Sequence, residues 1–141
     1  YDVMVRPDGK IIVNDATSGV IIGTWGAGDI LSFALDSING AFYVGINGVW
    51  QTSGNPASGA SRTGAIKTWS PTQGGSIGAL DGQAVCLNSY NTGSVSNANF
   101  GNGYFGTSAV SSAGTNASDN GIFEYDVPTG FTALSTKGLN L

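Results

Sequence analysis

Histidine is absent from this 141-residue chain. That excludes Ser-His-Asp and Cys-His triads, histidine-ligated metal centres and histidine general bases, and with them most hydrolase templates. Cysteine is nearly absent too: Cys86 is alone, so no intrachain disulfide forms. Within Ala84-Val85-Cys86-Leu87 it reads as a small buried hydrophobe. Charge is scarce, at 10% of residues against the usual quarter or so, and the net charge is −4. The five basic residues, Arg6, Lys10, Arg62, Lys67 and Lys137, are scattered, whereas a phosphate backbone requires concentrated positive charge, so nucleic acid is excluded as the main partner. No apolar run approaches the roughly 18 residues that span a bilayer, and Tyr1-Asp2-Val3 lacks the regions of a signal peptide, so a soluble chain with no membrane partner is expected.

What is present is glycine, 23 residues of it, with Ser, Thr and Asn between short apolar runs, the composition of a turn-rich β protein. The length fits one domain over residues 1–141. Val3–Arg6 and Lys10–Val13, joined by Pro7-Asp8-Gly9, read as a hairpin, and after the polar stretch Asn14–Gly19 the run Val20–Ile22 reads as a strand. From Ile30 to Asp36, period-two geometry puts Leu31, Phe33 and Leu35 on one face, expected to be core, and Ser32, Ala34 and Asp36 on the other. Asn39-Gly40 supplies positive backbone dihedrals for a turn, Ala41–Ile46 returns, and Asn47-Gly48 leads into Val49-Trp50, a meander of three runs.

Gln51–Ser61 has no periodicity and reads as a long loop; Lys67–Trp69 and Ser76–Leu80 are weaker runs. Gln83–Tyr90 is expected to be a strand paired with Ser94–Phe100. Gly106–Gly121 reads as an exposed loop, Ile122–Tyr125 as a strand, Val127–Phe131 as a closing corner, and Phe131–Lys137 as one helical turn at most.

The order Gly28-Asp29-Ile30 to Asp36, Asn39-Gly40, Phe42-Tyr43 and Asn47-Gly48-Val49-Trp50 resembles the central hairpin of SPRY (B30.2-like) domains. Asn99-Phe100-Gly101 and the tail Pro128-Thr129-Gly130-Phe131-Thr132-Ala133-Leu134-Ser135-Thr136 are similar to the concanavalin-type sandwiches of bacteriophage virion proteins. The resemblance implies an all-β fold, an antiparallel β-sandwich of SPRY-like or jelly-roll-like kind. Because such domains carry several strands ahead of the segment that Tyr1–Ile22 matches, it implies a sandwich lacking N-terminal strands here. It further implies a non-enzymatic structural protein of the virion, a capsid decoration, fibre or tail-surface module that self-associates, contacts other virion proteins, and adsorbs to a host surface or glycan through the loops 51–61 and 106–121. A soluble lectin-like or peptide-binding SPRY module is the alternative.

Candidate chemistry is sparse. The acids are eight aspartates and Glu124. Glu124-Tyr125-Asp126 is the nearest approach to the paired carboxylates of a glucanase, and a solvent-facing strand edge explains it more simply. Gly101-Asn102-Gly103-Tyr104-Phe105-Gly106 matches a dinucleotide fingerprint by letter, but no helix follows to meet a phosphate, so no cofactor is expected. Asp36, Asn39, Asp81, Asp119 and Asn120 lack the spacing of a calcium loop and are better explained as turn formers, so no metal is expected. Asn116-Ala117-Ser118, the one glycosylation sequon, is a chance-level match in so Asn- and Ser-rich a chain. Trp50, Trp69, Tyr90 and Tyr104 are the candidate contacts for a sugar or protein partner, because flat aromatic faces stack on ligands, while core or rim packing is the competing account for Trp50.

Overall fold

The computed structural model describes residues 3–70, 95–111 and 121–134. The fold is all-β: every pair of named strands is antiparallel, and the only helical elements among the described residues are two short 3-10 segments. The chain gathers into two compact units, residues 1–79 and 80–141.

In the first unit β1 (Val3–Val5) and β2 (Lys10–Val13) form the expected hairpin, closed by hydrogen bonds from Gly9 N–H to Arg6 O (3.0 Å) and from Arg6 N–H to Lys10 O (3.1 Å). Asp8 lies 3.3 Å from both Arg6 and Lys10. Gly9 has φ +78°, and a Cβ there would lie 2.3 Å from the carbonyl oxygen of Ile22. No other residue allows that approach. β3 spans Ala16–Ile21 and starts inside the stretch read as polar linker, because Asn14 (φ 48°) and Asp15 (φ 63°) make a two-residue turn between paired Val13 and Ala16. An Asn-Asp pair tolerates the left-handed region that such hairpins require, a signal weaker than Asn-Gly and missed in the sequence. β3 bulges opposite Ile11, between the pairs Lys10–Ile21 and Ile12–Thr17.

The three-run meander is as expected: β4 (Leu31–Asp36), β5 (Ala41–Ile46) and β6 (Val49–Trp50), with β7 (Lys67–Thr68) beside the start of β5. β4 and β5 pair continuously from Leu31–Ile46 to Asp36–Ala41. Asn47 (φ 49°) and Gly48 (φ 80°) form a two-residue turn, whereas at the other end only Gly40 has positive φ. There Asp36 Oδ1 accepts from Asn39 N–H at 2.9 Å and Oδ2 from the Asn39 amide at 2.7 Å, making a four-residue connection in place of a tight Asn-Gly turn.

Leu31, Phe33 and Leu35 share a face with their partners Ile46, Val44 and Phe42, the core side as expected, but on this edge strand Phe33 is 43% exposed, stacked on Phe42 with ring centroids 5.8 Å apart, and Ala34 on the opposite face is buried as well. Both faces of β5 are covered. One meets the core of Ile11, Ile22, Val44 and Ile66, which the two sheets share; the other, at Ala34 and Tyr43, lies under the loop that follows β6. Period-two alternation separates the faces but does not say that a loop will cover the second one.

In the second unit β8 (Tyr104–Phe105) and β9 (Ser108–Ala109) form a small hairpin. Asn99 organises what surrounds it: its amide donates to Ile122 O at 2.9 Å and its Oδ1 accepts from Gly101 N–H at 2.7 Å. Ile122 is joined to Asn102 by a single parallel bridge, and residues 122–125 form no strand, so alternation cannot set the side chains of Glu124 and Asp126. Residues 95–100 likewise form no strand, and their expected partner, 83–90, lies outside the described residues, as do the run 76–80 and Cys86. Val127–Phe131 is the turn expected, with Phe131 N–H donating to Pro128 O at 3.0 Å and Gly130 at φ +86°. Residues 131–134 hold no helical turn.

Candidate functional site

The loop 51–64 is built from its own polar atoms. Thr52 Oγ1 lies 2.6 Å from Gly64 O and so ties the two ends, Asn55 N–H donates to Thr63 O at 2.9 Å, and Asn55 Oδ1 caps the 3-10 segment Pro56–Ser61 by accepting from Ala57 N–H. Ser58 Oγ accepts from Thr63 N–H at 2.9 Å and lies 3.4 Å from the buried Tyr43 hydroxyl. The stretch without periodicity is therefore an ordered Ω-like loop, whose internal hydrogen bonds replace a regular ladder.

At the Asn47-Gly48 turn is a latch. Asp29 Oδ1 accepts from the Asn47 amide at 2.7 Å and Oδ2 from Gly26 N–H at 2.8 Å; Asn47 Oδ1 accepts from Ile30 N–H, and Asn47 N–H donates to Ile30 O, both at 2.9 Å. The Asn47 amide, then the Gly26 N–H, hold the Asp29 carboxyl below its ordinary range against a smaller opposing effect of burial. A depressed carboxyl stabilises the fold above the unfolded value of about 3.9, and that contribution is lost as pH falls through the lower folded value. The expected result is that the protection of the Ile30 and Asn47 backbone amides, relative to their intrinsic exchange rates, falls below about pH 4, and that Asp29→Asn removes this acid step; an unchanged acid profile in the variant would show the latch to be inert.

The four aromatic candidates are not brought together. Trp50 ends β6, half-buried, with its indole against Gly45. Trp69 follows β7, half-buried against Gly40, and its carbonyl accepts from Arg62 at 3.3 Å. Gly40 and Gly45 mark opposite ends of β5, about 16 Å apart along the strand, so the two indoles form no common platform. Tyr104 is 48% exposed on β8, and Tyr90 lies outside the described residues. The indole N–H groups of Trp69 and of Trp25, which the sequence reading did not single out, are buried without an acceptor among the described residues.

A groove of about 350 Å³ lies between Val13, Ser18 and Val20 on one side and residues 65–68 on the other, a size at the low end for small-ligand sites. None of the aromatic candidates lines it. Its walls come from segments some fifty residues apart, brought together by the shared core, and no local pattern marks them.

The acidic candidates fall into structural roles. Both oxygens of Glu124 accept from Ser111, Oε2 from N–H at 2.7 Å and Oε1 from the hydroxyl at 2.6 Å. Asp36 caps its turn through Asn39, while Asp81, Asp119, Asn120 and the sequon Asn116 lie outside the described residues. Gly101–Gly106 runs into β8 and its turn to β9. Among the described residues no three metal-binding side chains gather, and no helix is long and apolar enough to cross a membrane. No protein-family model, curated protein or solved structure matches the chain.

Proposed function

We propose that this chain is a non-enzymatic structural component of a bacteriophage virion, a capsid decoration, fibre or tail-surface module in which a SPRY-like β-sandwich is the scaffold and loops make the contacts. The observation that carries the reading is the segment Gly28–Trp50: the Asp29, Asn47 and Gly48 on which the resemblance rests are the residues that close its hairpin. The low charge and the Gly-, Ser- and Asn-rich connections stitched by their own hydrogen bonds support the same reading, since binding surfaces are commonly loops held on a rigid frame. The partners on this reading are further copies of the chain, other virion proteins and a host glycan. Electron microscopy of the native particles tests it: repeated density for this chain on a capsid, fibre or tail surface is the expected result, and particles that lack the chain would end the reading.

The groove beside Val13 and Ala65 favours a second reading, a lectin-like or peptide-binding module, because its lining mixes the apolar Val13, Val20 and Ala65 with the polar Ser18, Lys67 and Thr68. Glycan-array binding by the isolated chain that is lost in Val20→Trp, a groove-filling variant, together with native particles that lack the chain, would favour this reading over the virion one.

A further inference from the structure

Among the described residues, one edge of the sheet that carries the loop and the latch has no partner strand. β5 bonds on one side to β4 and on the other to β6 and β7. Ile30 O accepts from Asn47 N–H, so Ile30 turns its backbone toward β5, and Ser32, Ala34 and Asp36 follow by period two. Phe42 O accepts from Ile66 N–H, on the β7 side, so Phe42 turns away from β4, and its β4 neighbour Leu35 is a pair without hydrogen bonds. Both routes leave Leu31, Phe33 and Leu35 with N–H and C=O groups pointing outward, and no described residue bonds to them.

The other edges of the first unit are blunted. β1 is three residues long and runs into Arg6-Pro7, and β3 is bulged around Gly19. Bulges, proline, cations and shortness are the devices that prevent strand addition. β4 has none of them: it is six residues long, continuously paired with β5, free of proline and lysine, and exposes Phe33 at its middle.

We propose that β4 is a docking edge for a second copy of this chain, added antiparallel about a two-fold axis at Phe33. Phe33 then faces Phe33 of the second copy, and Leu31 faces Leu35, so the outward groups of all three residues are satisfied by the same three residues of the other chain. Charge decides the direction. Parallel in-register addition sets Asp36 beside Asp36, whereas the antiparallel register sets Asp36 opposite Ile30 and Asp29 opposite Ser37. The two Phe33 rings lie on one face as a cross-strand aromatic pair, and the sheet becomes continuous across the axis. The edge stands apart from the virion reading, since dimers in solution support it whether or not particles contain the chain.

The test is sedimentation together with amide exchange on the full chain between about 10 μM and about 1 mM. The expected result is a concentration-dependent dimer in which the Leu31, Phe33 and Leu35 amides become protected as it forms. Phe33→Lys, which puts a cation on the edge, should weaken the dimer at least about tenfold, while Thr17→Lys on the bulged edge leaves it intact. Because Phe33 also packs on Phe42, the wild-type exchange data decide the matter should Phe33→Lys fail to fold. A monomer at the highest concentration, with those three amides either unprotected or protected at every concentration, would overturn the proposal, and the second pattern would mean that a segment of the same chain covers the edge.

Discussion

Ile11→Ala is expected to cost about 3–4 kcal/mol, a large share of the roughly 5–15 kcal/mol that holds a typical domain folded. Ile11 is fully buried on β2 and packs with Ile22, Val44 and Ile66, which come from both sheets of the first unit. Its side chain meets backbone-anchored neighbours on every side, so the structure collapses little around the truncation and most of the cavity persists. Ile11→Val removes one methylene and should cost only about 1 kcal/mol. Urea denaturation followed at the tryptophans measures both, and a loss below about 1 kcal/mol in the alanine variant would mean that this cluster is not what joins the two sheets.

The second large effect is expected at Gly40. Its φ is +71°, and a Cβ there would lie 2.3 Å from the carbonyl oxygen of Trp69, an atom of the backbone that no rotamer change can move aside. Trp69 N–H also donates to Gly40 O at 3.0 Å, so relieving the clash pulls β7 off β5. The left-handed conformation alone costs an L-residue about 1–2 kcal/mol. With the displaced strand the total for Gly40→Ala should reach about 3 kcal/mol, a fall in Tm of roughly 10 °C. Loss of amide protection at Ile66 and Trp69, with β4–β5 pairing retained, would locate the damage. Gly26→Ala is the matched control: nothing lies within 4 Å of the added Cβ, and its effect should stay within about 0.5 kcal/mol.

Much of the first unit was legible because its signals are local. Pro7-Asp8-Gly9 and Asn47-Gly48 force the chain to reverse, and apolar runs of three to six residues between such turns have no other regular structure open to them. The reading faltered where a signal is degenerate. Asn14-Asp15 serves as a tight turn with no glycine to announce it, and Ser, Thr and Gly in β3 look like linker because the strand lies at an edge, with most of its side chains in solvent. Ile122–Tyr125 has strand composition, yet forms bridges and no strand, because strand propensity describes a fit to neighbouring strands that composition does not specify.

The site was far less legible. Trp50 and Trp69 were singled out for their chemistry, but each sits against a glycine at its own end of β5, and distance along a strand keeps them apart. The groove and the Asp29–Asn47 latch depend on residues that are remote in sequence. The sequence by itself determined the class of fold, the turns that set the meander, and the absence of histidine chemistry, since these follow from composition and from dihedrals that only certain residues adopt. Tertiary structure alone decided that the second face of β4 is covered as well, which segments line a groove, and which strand is left without a partner among the described residues. Those outcomes depend on what packs against each element, and period-two alternation carries no information about the neighbour.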